Sequence, residues 1–319
     1  MLYASTSIVL GLVLLVWSAD RFVVGASSVA KCFNLPPLLI GMVIVGFGTS
    51  TPELFVSCIA AFNGDDEMAI GNALGSNIVN ISLILGITAL IAPITVASSI
   101  IRRELPVLLV ISILLGILIW DMRLDRLDAF ILLAGFFGLL AWTIKMANQQ
   151  TEDPLNSEFK QELSTASSSP KIAVFWTLTG LITLIASSQL LVWGGTNMAE
   201  EFGVSKLVIG LTIVAIGTSL PELVTSVTAA LKGEHDVAIG NVIGSNMFNL
   251  LAVVGLSGVV NPMVNLNQTI FWRDWLSMLF LTVVLLFMAI GIKGVRRIGR
   301  VEGAVLVSCY GLYTFLLFT

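Results

Sequence analysis

Residues 46–58 read GFGTSTPELFVSC, which places Glu53 inside an apolar run long enough to cross a bilayer. The pattern returns later in the chain. VGFGTSTPELFVSCIAAFNGDDEMAIGNALGSNIVN begins at Val45 and VAIGTSLPELVTSVTAALKGEHDVAIGNVIGSNMFN begins at Val214, so the second copy follows the first at a constant offset of 214 − 45 = 169 residues, without a gap. Gly48, Thr49, Ser50, Pro52 and Glu53 map onto Gly217, Thr218, Ser219, Pro221 and Glu222, and Gly75, Ser76, Asn77 and Asn80 map onto Gly244, Ser245, Asn246 and Asn249.

The surroundings of these motifs are those of a membrane protein. Of 319 residues, 56% are hydrophobic and 11% charged, and the mean hydropathy of +0.97 lies outside the range of soluble domains. Ten apolar runs are each long enough to cross a hydrocarbon core of ~30 Å as a helix of ~20 residues. They fall at about 2–19, 38–62, 68–91, 104–120, 128–147, 172–195, 207–231, 237–259, 275–292 and 301–319. The first lacks a basic leader and reads as a retained helix. Cys32, Cys58 and Cys309 are too scattered for a disulfide framework or a thiolate metal site.

The expected fold is therefore an all-α membrane protein of ten transmembrane helices. Residues 1–147 and 172–319 each hold five spans, joined by a polar linker at 148–171. An odd number of spans makes the second copy enter the bilayer from the opposite side, an inverted-topology repeat of the kind on which many secondary transporters are built. Of the 16 basic residues, twelve fall on the linker's side and four, Arg123, Arg126, Lys206 and Arg273, on the other. The positive-inside rule then puts the linker in the cytoplasm and both termini outside the cytoplasm, in a multi-pass cell (inner) membrane protein.

Glu53 and Glu222 are the only acids of the twenty that fall in the interior of these spans, Glu104, Asp128 and Glu302 standing at span ends. Burying a charge at a helix centre costs about 2.5–3.5 kcal/mol on insertion scales, and no Lys or Arg lies in the two spans that carry these acids. A proton or a bound cation must supply the counter-charge. Continuous helix would set Thr49 and Ser50 on the face of Glu53, and Pro52, lacking an N–H, frees the carbonyl of Gly48. Repeat two offers the same groups with Thr218, Ser219, Pro221 and Glu222 and releases Gly217. Ser76 with Asn80, and Ser245 with Asn249, are four apart and share a face. Pooled, these groups form an all-oxygen cage with two formal charges, which suits Ca²⁺ with its 6–8 oxygen ligands better than Mg²⁺ or a transition metal.

Other polar features read as ordinary. Asp65, Asp66 and Glu67 form a solvated loop, His235 an exposed imidazole, and Trp193, Trp272, Trp275 and Tyr313 interfacial anchors. Nothing calls for nucleic acid, a cofactor or an obligatory protein partner, and no nucleophile–base pair or HExxH suggests an enzyme.

GTSTPE and GTSLPE, each followed by GN(A/V)(L/I)GSN, resemble the paired α-repeats of the sodium/calcium exchangers within the cation/calcium antiporter superfamily, in its compact prokaryotic form. The resemblance spans nearly the whole chain. It implies exchange of Ca²⁺ for Na⁺ by alternating access, with the first span of each half sliding against the rest. Glu53 and Glu222 would be the main Ca²⁺ ligands, helped by the carbonyls of Thr49 and Thr218. Side chains of Thr49, Ser50, Ser76, Asn80, Thr218, Ser219, Ser245 and Asn249, with carbonyls at Gly46 and Ala215, would complete the Na⁺ sites. Some prokaryotic members carry an aspartate where this chain has Asn249, so the cage here has one acid fewer. A Ca²⁺/H⁺ antiporter and, more remotely, a cation channel are the rival readings.

Overall fold

In the computed structural model the described residues are 2–33, 35–150, 169–202, 215–290 and 297–318. Most of the linker expected at 148–171, and the beginning of the span expected at 207–231, lie outside them. The described chain is helical: α1 (Leu2–Cys32), α2 (37–49), α3 (Thr51–Phe62), α4 (Asp66–Ile91), α5 (100–118), α6 (Arg126–Gln150), α7 (Pro170–Glu201), α8 (Ala215–Thr218), α9 (Leu220–Leu231), α10 (His235–Val260), α11 (Ile270–Ile290) and α12 (Arg300–Phe318). Among the described residues seven helices are long and apolar enough to span a membrane, or eight if α2 and α3, bent by 45° at their junction, count as one. The two remaining expected spans correspond to α5 and to α8 with α9.

α1 is longer than the expected 2–19. Asp20, Arg21 and Lys31 lie on the helix; Asp20 and Arg21 find partners there, Asp20 meeting Lys232 at 2.7 Å and Arg21 lying 5.2 Å from the ring centre of Trp176, and Lys31 stands exposed in the last turn. α1 packs along α7 in opposite directions, through glycines at equivalent places. A Cβ on Gly25 would sit 2.5 Å from the backbone of Thr177, and one on its equivalent, Gly194, would sit 2.9 Å from the backbone oxygen of Ala4. Such close backbone approach is the usual way for membrane helices to gain packing energy when water supplies none.

α4 and α10 form the centre. The most apolar window of α10 is wholly buried and that of α4 72% buried. α6 packs on the end of α10, with Ala129 and Leu132 against Gly255, while α12 packs on the end of α4, with Gly303 against Gly86. Each half thus clasps the central helix of the other. Two short ladders repeat the exchange: β1 (Ile94–Thr95) pairs antiparallel with β2 (Arg297–Ile298), and Leu124 bridges Met263.

The turns between the motif helices are built alike. Gly64 (φ +76°) and Gly233 (φ +79°) take the left-handed conformation that ends a helix. Asp65 N–H reaches back to Ala60 O at 2.9 Å and Glu234 N–H to Ala229 O at 2.9 Å. The carboxylate of Asp65 then accepts from Met68 N–H at 3.0 Å, so this acid is an N-cap for α4.

Gly244 presses on the backbone of Met42, whereas Gly311 is exposed with nothing near it. Gly244→Ala is expected to lower stability by about 1–3 kcal/mol through overpacking, while Gly311→Ala leaves it unchanged. Thermal unfolding in detergent measures both, and an unshifted melting temperature for Gly244→Ala would mean that α2 and α10 can part freely.

Candidate ion site

The helix carrying Glu53 is interrupted one turn before it. Ser50 has φ −81° and ψ 8°, off the helical values, and α3 starts afresh at Thr51 with Pro52 in its first turn. Ser219 (φ −91°, ψ 6°) breaks the second copy in the same way before α9. Proline fits a first turn because its missing N–H would have no intrahelical partner there. Each glutamate consequently stands in the first turn of a half-helix, whose exposed N–H groups favour negative charge.

Breaking the helix redirects the hydroxyls. Continuous helix would give Ser50 to Glu53; instead its hydroxyl donates to Glu222 Oε1 at 2.9 Å, and that of Ser219 donates to Glu53 Oε1 at 3.3 Å. Thr49 also lies beside Glu222, and Thr218 beside Glu53. The expectation that each hydroxyl pair serves its own carboxylate is corrected: each serves the carboxylate of the other half. Both glutamates are 1% exposed.

Two further layers hold the half-helices. Asn72 donates to the backbone carbonyl of Glu53 (3.1 Å) and to Ser57 (2.9 Å); Asn241 does the same for Glu222 (3.1 Å) and Ser226 (2.7 Å). Below them lie four amides in a cross-linked set. Asn80 Nδ2 donates to Asn246 Oδ1 (3.0 Å) and Asn249 Nδ2 donates to Asn77 Oδ1 (3.1 Å). Asn80 and Asn249 each open a π-helical turn, Asn80–Ile84 and Asn249–Val253, which packs against the Glu-bearing half-helix of the other copy. Wide turns of this kind are frequent at functional sites.

The expected backbone ligands are engaged. Gly46 O accepts from Ser50 N–H (3.2 Å), Ser245 Oγ (3.0 Å) and Thr49 Oγ1 (3.3 Å). A Cβ at Gly46 would stand 2.8 Å from Ser245 N, so this contact needs glycine. The carbonyl of Gly217, released by Pro221 as expected, is taken up by Ser188 Oγ at 2.7 Å. Ser188 lies on α7, a helix from which no site contact was expected. Ser76 is buried at the place equivalent to Ser245, and Ala215 begins α8.

Four acceptor oxygens in this region have no hydrogen-bond partner: Glu53 Oε2, Glu222 Oε2, Asn80 Oδ1 and Asn249 Oδ1. No basic side chain pairs with either glutamate among the described residues, in contrast to buried Asp274, which accepts from Arg273 (2.7 and 3.1 Å) and from Tyr313 (3.0 Å). Asn72, Asn77, Asn241 and Asn246 were not among the expected site residues, although GNALGSN and GNVIGSN display them at fixed distance from each glutamate.

Comparison with known proteins identifies the family. The model of the family described as "Sodium/calcium exchanger protein" matches residues 4–145 and 172–319. The chain is 46% identical over 320 residues to a putative antiporter, CaxA, of Alkalimonas amylolytica, covering 100% of each. It is 30% identical over 344 residues to the sodium/calcium exchanger MaX1 of Methanosarcina acetivorans, covering 98% of this chain and 97% of that one. Its fold is similar to that of the sodium-calcium exchanger NCX_Mj, with a TM-score of 0.85 and 28% identity, covering 99% of each chain. Matched in both halves and along its full length, this chain belongs to the sodium/calcium exchanger family, a family of cation/calcium antiporters.

Proposed function

We propose that the chain exchanges Ca²⁺ for Na⁺ across the cell (inner) membrane by alternating access, with Glu53 and Glu222 as the main Ca²⁺ ligands. The observation that carries this reading is the set of four unpartnered, buried acceptor oxygens drawn from equivalent positions of the two motifs. A buried acceptor without a donor costs about 1–3 kcal/mol, and more when charged. A cation held among them removes that cost for all four at once.

Ca²⁺ neutralises two carboxylates, and Na⁺ added beside it would leave net positive charge in a medium of low dielectric constant. The two cargoes therefore exclude one another, which is the requirement for exchange. Hydroxyls of Thr49, Ser50, Thr218 and Ser219 beside the carboxylates, with Ser76 and Ser245 close by, add neutral oxygens of the sort Na⁺ coordinates and a proton does not need. That favours Na⁺ over H⁺ as the coupling ion. Absence of a third acid, Asn249 standing there instead, leaves two charges for one Ca²⁺.

The architecture we propose is ten spans in two inverted halves, 1–147 and 172–319, with the linker cytoplasmic and both termini outside. The opposed course of α1 and α7 and the reciprocal bonds at an offset of 169 (222 − 53) support it. The first helix of each half is the moving part, and the glycine contacts between α1 and α7 suit such sliding.

Uptake of ⁴⁵Ca²⁺ into Na⁺-loaded vesicles is expected to fall by about 100-fold or more in Glu53→Gln and Glu222→Gln, each of which loses a charge-assisted ligand, while both variants still fold. Parent-like exchange in either refutes the site. In Na⁺-free vesicles an imposed pH gradient should drive no ⁴⁵Ca²⁺ uptake; uptake there would make the protein a Ca²⁺/H⁺ antiporter, and flux needing no counter-ion would make it a channel. Ser50→Ala removes the donor to Glu222 and a neutral ligand. It is expected to weaken the apparent Na⁺ affinity about fivefold, from a loss of ~1 kcal/mol, measured by the Na⁺ dependence of Ca²⁺ efflux.

A further inference from the structure

The amide layer is not equivalent in its two halves, and the difference singles out a residue. Asn77 uses its Nδ2 twice, toward the backbone carbonyl of Asn246 at 3.1 Å and toward Met278 Sδ at 3.7 Å. Both are acceptors, so the amide of Asn77 cannot turn over without facing oxygen against oxygen. Its Oδ1 is thereby held toward Asn249, whose Nδ2 donates to it at 3.1 Å. An amide is planar with its nitrogen and oxygen on opposite prongs, so fixing Nδ2 of Asn249 also fixes its Oδ1, the atom left without a partner. Asn246 occupies the equivalent place and accepts from Asn80 at 3.0 Å, but its own Nδ2 has no partner. Nothing comparable locks it.

We infer that Asn77 is a positioning residue for cation binding, which keeps the carbonyl prong of Asn249 turned toward the ion and its NH₂ prong away, and that Asn246 exerts the weaker hold on Asn80. This rests on the ion site proposed above. A wrongly turned Asn249 would present two N–H donors to a cation, exchanging a ligand for a repulsion. A carboxylate has no such wrong face, so the need for Asn77 should vanish when residue 249 is an aspartate.

Equilibrium binding of ⁴⁵Ca²⁺ to the purified full-length protein tests this. Asn77→Leu should weaken binding about tenfold, the upper end of the range for one neutral hydrogen bond, and Asn246→Leu by about threefold or less. In an Asn249→Asp background, Asn77→Leu should weaken affinity by no more than about twofold, and the difference between the two backgrounds is the coupling read from the double-mutant cycle. Equal loss in both backgrounds would assign Asn77 a merely structural role and overturn the inference, as would unchanged binding in Asn77→Leu. If the leucine variant does not fold, Asn77→Ala carries the same expected ratio between backgrounds. Glu222→Gln, run alongside, separates the two levels: loss of binding there with an indifferent Asn77 defeats this inference alone, and parent-like binding there defeats the site and the inference together.

Discussion

Two carboxylates buried in an apolar bundle without a basic partner are the constraint on which this structure depends. Among the described residues, the side-chain hydroxyls that bond each carboxylate come from the other half. Ser50 reaches Glu222 and Ser219 reaches Glu53, so the two copies of the motif are held face to face by the groups that most need company. These hydroxyls satisfy only one oxygen of each carboxylate; the second has no hydrogen-bond partner and, in the function proposed, is the one that meets a mobile positive charge. A fixed lysine or arginine in that place would stabilise the fold and end the exchange, since a permanent ion pair has nothing to release. Asp274, paired to Arg273 and Tyr313 away from the motifs, illustrates that alternative.

Irregular backbone follows from the same requirement. A regular helix offers an ion only side chains, and at membrane depth broken backbone is tolerated only where protein covers it. Here the breaks at Ser50 and Ser219 and the wide turns at Asn80 and Asn249 all face the buried centre. The helices that surround them carry glycine where they touch: Gly46 against Ser245 lets a broken helix lie directly on a central one. Close approach and loss of helical regularity are therefore two aspects of one site.

Much of this is legible in the residues. Glu53 and Glu222 declare themselves by being acids in apolar runs, and the offset of 169 residues declares their equivalence. Gly and Pro around them foretell the breaks. What does not follow is the consequence of the break, because helical spacing assigns Ser50 to Glu53, and only the turn at Ser50 hands it to the other half. The π-helical turns are equally hidden, since α4 and α10 are buried on most sides, and the phase shift of about 100° from one extra residue has no apolar stripe to displace. Asp20 and Arg21 read as the end of a span, and it takes Lys232 and Trp176, more than a hundred residues away, to keep them on α1. Asn72 and Asn241 were in plain view but bond to backbone and serine rather than to the acids' side chains, a role for which spacing gives no sign.

The two halves differ most where their first helices meet the breaks. α1 and α7 approach closely at glycines, with Trp17 and Arg21 of α1 also set against Trp176 of α7. Yet Ser188 of α7 holds the carbonyl of Gly217, one residue before Thr218 and two before the break, while the equivalent residue of α1 is Ala19, buried and without a hydroxyl to give. Interhelical hydrogen bonds in membranes average only about 0.6 kcal/mol, too little to lock a helix but enough to bias a two-state equilibrium nearly threefold. Under the alternating access proposed above, a hydroxyl that one half has and the other lacks is the kind of asymmetry that lets a carrier with one acid in each half favour one side of the membrane.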